Sequence, residues 1–250
     1  MKYILKLIIK TMVIGLLFFV GLFQIITNQN SVIKLLFPSK VWVHRVNSID
    51  KLSKVGSNYR GIELDVEFDE AYNKFQVNHP PAKPINLFLE TYLKNSDLNK
   101  KYWIDLKNLD NTNLMRIKVQ LMIVLDSLKL NKNNFIIESP NCEELSRLKS
   151  EFDVSYYLPV GLSSLNTKQQ KMVSDTIRIN LRKYKPNYIS SSIVDYYYMR
   201  KEFDYNMLLW ALSELKINTP DGFLNGIRSL KVKLSALLDD QVKVVLVGDM

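Results

Sequence analysis

The stretch Gly61-Ile62-Glu63-Leu64-Asp65-Val66 alternates apolar residues with two carboxylates. In a strand, residues two apart share a face, so Ile62, Leu64 and Val66 form one side and Glu63 and Asp65 the other. The same phase recurs nearby. Over 102–107, Tyr102, Ile104 and Leu106 oppose Trp103, Asp105 and Lys107, and over 41–45, Val41 and Val43 oppose Trp42 and His44. Three strand segments in succession thus send their polar residues to one side, toward the strand ends.

Working outward, short apolar runs at 41–45, 61–67, 102–107, 135–138, 154–158, 188–193, 208–212 and 242–247 read as strands. Segments 113–128, 141–152 and 167–184 between them have helical period, the first most clearly. Strands alternating with helices in this way fit an α/β fold, a parallel (β/α)8 barrel, with an open doubly wound sheet as the alternative. In such a barrel one strand face lines the interior, and chemistry sits at the C-terminal mouth.

The chain has 250 residues, 47% of them apolar, enough for a substantial core. Its single cysteine, Cys142, rules out an intramolecular disulfide and is expected to pack in the core. The net charge is +9, of which Lys2, Lys6 and Lys10 supply three units ahead of any globular part. No basic helix, finger or aromatic RNA platform is present, so nucleic acid is not an expected partner. Residues 11–27, TMVIGLLFFVGLFQIIT, carry no charge and are long enough to span a bilayer core, with lysines on one flank. The reading is an uncleaved anchor over 1–27, with a signal peptide as the rival, then a connector over 28–39 and a barrel domain over 40–250. The early lysines would stay in the cytoplasm and the barrel outside, its open mouth held near the bilayer.

The two histidines of the chain, His44 and His79, fall on either side of Glu63 and Asp65. With Asp105 and Lys107 they make one inward set. Three carboxylates converging in a dry interior repel one another unless a positive charge lies between them. An oxygen-only donor set suits a hard divalent cation, Mg2+ or Ca2+. Two imidazoles beside it suit a paired acid and base, and Lys107 can balance charge or hold an anionic oxygen. These are the requirements for breaking a phosphodiester.

The order His44-Arg45, then Glu63-Leu64-Asp65-Val66, then His79 after a hairpin-like excursion resembles the glycerophosphodiester phosphodiesterase family of phospholipase-C-like barrels. That resemblance implies a metal-dependent enzyme in which His44 and His79 are catalytic and Glu63 and Asp65 bind the cation. Asp105-Leu106-Lys107 is similar to the family's acidic-x-Lys pair, with Asp where Glu is usual, as in the sphingomyelinase D branch. His44-Arg45-Val46-Asn47-Ser48 and His79-Pro80-Pro81 depart from the usual family pattern and look more like the menorin branch. These departures argue against an ordinary glycerophosphodiesterase.

Other residues are secondary candidates. Arg45 is a candidate phosphate contact, although strict alternation turns it outward; Asn47 is a turn former or a ligand contact, and Trp210 a wall of the substrate pocket. Glu67 and Asp69 are expected to be solvated, and Glu138 to sit at the surface or cap a helix, with an inward position as the other option. The run 195–200, rich in tyrosine, reads as a buried helix face. The whole reads as a membrane-anchored phosphodiester hydrolase acting on a lipid or headgroup diester, with a non-catalytic surface binding protein on the same barrel as the alternative.

Overall fold

A computed structural model of the chain describes residues 2–28, 30–97, 99–210 and 222–248. The described strands are β1 (Val41–Val43), β2 (Gly61–Asp69), β3 (Lys74–Val77), β4 (Lys101–Leu106), β5 (Phe135–Ser139), β6 (Asp153–Tyr157), β7 (Tyr188–Ser192), β8 (Met207–Trp210) and β9 (Val242–Val247). All but β3 run parallel to their neighbours, and β1 pairs with β2 at Val43↔Ile62 and with β9 at Val41↔Val245. The two pairings close the eight parallel strands into a barrel and exclude the open sheet.

Helices α1 (Lys2–Asn28) and α2 (Asn30–Leu36) precede the barrel. Then α3 (Ile49–Val55), α4 (Leu89–Lys94), α5 (Leu114–Ser127), α6 (Cys142–Leu148), α7 (Thr167–Tyr184), α8 (Tyr196–Glu202) and α9 (Gly222–Leu238) are interleaved with the strands. In α5 the buried residues Leu114, Ile117, Leu121, Val124 and Leu125 recur at helical spacing, which is why periodicity locates it. Asn166 and Gln169 form a capping box that starts α7 where the sequence places it. The expected strand over 208–212 is observed as Met207–Trp210; its last two residues, Ala211 and Leu212, lie outside the described residues.

Two apolar clusters divide along the strand phase. Trp42, Trp103, Ile136, Leu208, Val244 and Leu246 fill the barrel lumen, with Tyr188 and Trp210 against them. The alternate positions, among them Val43, Ile62, Leu64, Val66, Ile104 and Leu106, belong to the larger cluster shared with the helices. Gly61 is a consequence of this filling. A Cβ there would run into the Trp42 ring, which is itself buried. Gly61→Ala is therefore expected to cost about 1–3 kcal/mol through overpacking, read from the urea midpoint at unchanged m. A midpoint equal to wild type would mean that the ring moves aside freely.

Among the described residues no helix is long and apolar enough to cross a membrane. Part of the expected span, residues 20 and 22–27, lies outside those whose side chains are described. In the described part of α1, Ile8, Ile14, Leu16, Phe18 and Phe19 are all exposed. α2 occupies the stretch taken for a connector, buries Ile33 in the core and sets Lys34 over the Tyr59 ring. It leads into the first residue of β1, and Tyr59 just precedes β2. The N-terminal segment therefore joins the barrel at its N-terminal face, opposite the mouth that carries the polar cluster.

Candidate active site

The site is assembled by strand ends. Glu63 and Asp65 of β2 lie level with Trp103 and Asp105 of β4, and Asp105 lies level with Glu138 of β5. Glu63 and Asp65 are 3% and 1% exposed, and one ligand oxygen from each of Glu63, Asp65 and Asp105 lies within 4.8 Å of the others. Around this acidic floor, His44, Arg45, His79, Lys107, Tyr157, Trp210 and Leu246 complete a pocket.

His79 reaches the site through a hairpin. β2 runs past the end of its pairing with β4 to Asp69, and β3 returns antiparallel with Val77 opposite Val66. The Asn78 amide then donates to the Asp65 carbonyl at 3.1 Å, and the next residue is His79. His79 Nε2 lies 3.9 Å from Asp65 Oδ1, and His44 Nε2 lies 3.7 Å from Glu63 Oε2. The imidazoles are more open than the acids beneath them, at 21% and 35% exposure for His44 and His79.

Arg45 departs from strict alternation. Its φ of +53° ends β1 in the left-handed region, so that its backbone N–H donates to Glu63 Oε2 at 2.6 Å. Its guanidinium turns into the pocket, where Nη2 lies 3.0 Å from His79 Nε2. The outward orientation expected from alternation is thus corrected by one backbone angle. Asn47 does not line the pocket: its Nδ2 donates to Asp65 Oδ2 at 2.7 Å and its Oδ1 accepts the Asp65 amide at 2.9 Å, so it fixes Asp65. Trp210 lines the pocket and stacks on Tyr157 with ring centroids 6.2 Å apart.

Glu138 and Tyr157 are pocket residues that sequence reasoning undervalued or missed. Glu138 is 1% exposed, and its Oε2 has no hydrogen-bond partner among the described residues. Both lie on the inward phase of their strands, a signal that was available. Glu67 and Asp69, expected to be solvated, are half-buried residues of β2: Asn78 Nδ2 donates to Glu67 at 2.6 Å, and Asp69 accepts from Gln76 and from the turn amides of Ala71 and Tyr72. Cys142 is buried, and burial pushes its thiol up to about 12, as a packing residue.

The charges do not balance within the protein. Burial, then the neighbouring Asp65 and Asp105 charges, hold Glu63 well above the usual carboxylate range. Asp105 is raised chiefly by burial, as is Glu138, to which Asp105 adds. Lys107 lies 2.6 Å from Asp65 and also contacts Asp105; burial opposes its charge, but the two carboxylates outweigh that and raise its pKa. Burial, then the charge of Arg45, lowers His44 to about 4, so its imidazole is neutral near pH 7. Lys107 and the Arg45 guanidinium face four carboxyl groups, those of Glu63, Asp65, Asp105 and Glu138, in a low-dielectric site. The oxygen-only donor set of Glu63, Asp65 and Asp105 fits a hard divalent cation.

No family model matches the chain, and no curated protein matches it. Solved structures do. A phosphodiesterase from Oleispira antarctica, in complex with its product sn-glycerol-3-phosphate, superposes with a TM-score of 0.53 at 13% identity, over 86% of this chain and 94% of its own. A glycerophosphodiester phosphodiesterase from Thermotoga maritima gives 0.51 at 15% identity, over 82% and 92%. One from Agrobacterium tumefaciens gives 0.50 at 13%, over 83% and 94%. The chain shares the (β/α)8 barrel fold of these phosphodiesterases. At these identities the likeness is one of architecture; the chemistry rests on the pocket itself.

Proposed function

We propose that the protein is a metal-dependent phosphodiester hydrolase acting on a lipid-derived or headgroup diester, attached to a membrane through α1 with the barrel on the extracytoplasmic side. The observation that carries the catalytic reading is the pairing of His44 with Glu63 and His79 with Asp65 around one acidic floor. The exposed apolar side chains of α1 support the attachment. The product bound by the Oleispira antarctica enzyme supports a phosphodiester as the substrate class.

Glu63, Asp65 and Asp105 would hold the cation, Mg2+ or Ca2+. When bound it would neutralise the floor and polarise a phosphoryl oxygen. Lys107, between Asp65 and Asp105, supplies positive charge to a phosphoryl oxygen at the mouth. Arg45 rests on His79 Nε2 and has the planar donor pair suited to a phosphate. In hydrolysis a water oxygen bonds to phosphorus as the bond to the leaving oxygen breaks. One imidazole takes the proton from the water and the other gives its proton to the leaving oxygen; a substrate hydroxyl in place of water gives a cyclic product. Trp210 and Tyr157 form an apolar wall for the rest of the substrate.

The test is turnover of bis(p-nitrophenyl) phosphate, glycerophosphodiesters and lysophospholipids by the full chain, with Mg2+, Ca2+ or EDTA. Release of product that stops with EDTA is expected. No turnover of any of them with either cation would favour a non-catalytic binding protein on this barrel.

Cation binding should also depend on pH in a defined direction. The raised pKa of Glu63 means that its proton stabilises the metal-free fold below the ordinary carboxylate value, a contribution lost as pH rises through the raised one. A cation must displace that proton, so the thermal shift produced by Mg2+ or Ca2+ is expected to grow from about pH 5 to about pH 8, with up to roughly one proton released per ion. A shift that shrinks over this range would mean that these carboxylates are not the ligands.

A further inference from the structure

The N-terminal mouth of the barrel is open and basic. Arg60, Lys101, Asn133, Asn134, Tyr188 and Lys243, all at or next to strand starts, surround a cavity of about 160 Å3 floored by Trp42. Neither Arg60 nor Lys101 has a carboxylate partner among the described residues, and Lys243 donates only to the Asp240 carbonyl at 2.7 Å. The carboxylate lining this mouth is Asp153, to which the Tyr188 hydroxyl donates at 3.4 Å. Three cations thus face one acid in the same opening.

An independent feature lies on the approach to this opening. α2 turns Ile33 into the core and leaves Leu35 and Leu36 exposed at 77% and 59%. The chain then passes through Ser39, which lines the basic cavity, into β1. Exposed leucines followed directly by a ring of basic side chains are what an interfacial surface needs: apolar groups to enter the headgroup boundary and cations to meet anionic lipid. The segment that leads here from α1 is the same one.

We propose that this N-terminal mouth, with Leu35 and Leu36 beside it, is a docking surface for an anionic phospholipid bilayer. The catalytic mouth then points away from the membrane to which the chain is attached, and its substrate arrives from the aqueous side. The proposal rests on the membrane attachment inferred above for where the bilayer lies, and on charge and exposure for the surface itself.

The experiment uses the full chain reconstituted into phosphatidylcholine vesicles with or without phosphatidylglycerol. Cys142 is buried, so an environment-sensitive dye can be placed selectively by Ser39→Cys at the basic mouth or by Ala82→Cys at the opposite one. With phosphatidylglycerol present, nitroxide-labelled lipid is expected to quench the dye at position 39 strongly and the dye at position 82 little. In neutral vesicles the quenching at position 39 should fall. Replacing Arg60, Lys101 and Lys243 together by Gln should remove the phosphatidylglycerol-dependent part, with about fivefold weaker lipid association per side chain. A triple variant that fails to fold is replaced by the single Arg60→Gln and Lys243→Gln changes, both at exposed residues. Stronger quenching at position 82, or equal quenching at position 39 in both lipids, overturns the proposal. So does an equal dye response to inorganic phosphate with neutral vesicles, which would mark a soluble-anion pocket. Failure of the attachment is read separately, as release of the chain from neutral vesicles in an alkaline wash.

Discussion

His44→Ala and His79→Ala are each expected to lower turnover of a phosphodiester by about 10²–10⁴-fold, the range spanned by a positioned acid or base. The reason is their placement. The two Nε2 atoms sit at the rim of the pocket, each within 4 Å of a different carboxylate of β2, and so on two sides of whatever occupies the floor. His44 is held neutral by burial and by the charge of Arg45, which suits it to accept a proton near pH 7. His79 accepts a hydrogen bond from the Arg45 guanidinium, and binding of a phosphate by Arg45 would free that nitrogen. The pH profile divides the roles: loss of the base removes the acidic limb of the bell, and loss of the acid removes the alkaline one. A structural role is separated by the thermal shift with Mg2+ or Ca2+, which both variants should keep because neither removes a carboxylate. Turnover within a few-fold of wild type in both variants would sink the acid–base assignment.

The pocket was legible in the sequence to the extent that it follows from strand phase. Glu63, Asp65, Trp103, Asp105 and Trp42 occupy one face because a parallel barrel keeps a period of two along each strand, and the lumen cluster has that phase. Arg45 was illegible because a single positive φ lies outside any periodic pattern, and no glycine or asparagine marks it. The return strand β3 has four residues and helices α3, α4 and α8 have seven, six and seven, too few for alternation or helical spacing to stand out. Glu138 was discounted because a buried carboxylate without a partner is costly and an exposed one is the usual expectation. The orientation of the barrel relative to α1 needed three dimensions: the order of elements does not say which mouth the entering chain meets.

Glu63→Gln is expected to separate cation binding from folding. Gln keeps the size of the side chain and can still accept the Arg45 amide, which bonds Glu63 Oε2 at 2.6 Å in the wild type. It removes one of three mutually repelling charges, in a place where burial already opposes ionisation. The metal-free variant should therefore be as stable as wild-type protein in EDTA, or more so. Its response to cation should differ sharply. A ligand at about 100 times its dissociation constant stabilises a fold by about 2.7 kcal/mol, and a site that has lost one of three carboxylates loses most of that. Turnover should fall with it, by at least about 10²-fold, since charge stabilisation at the phosphoryl group is usually the largest single contribution. Asp65→Asn should give the same loss of cation response with an additional cost to the fold, because Asp65 also anchors Asn47 and Lys107 while Glu63 has neither partner. A Glu63→Gln protein that keeps the full thermal shift with Mg2+ and Ca2+ would show that the floor is neutralised by Lys107 and protons alone. The reading of three carboxylates gathered around a cation would then be wrong, whatever the fate of the two histidines.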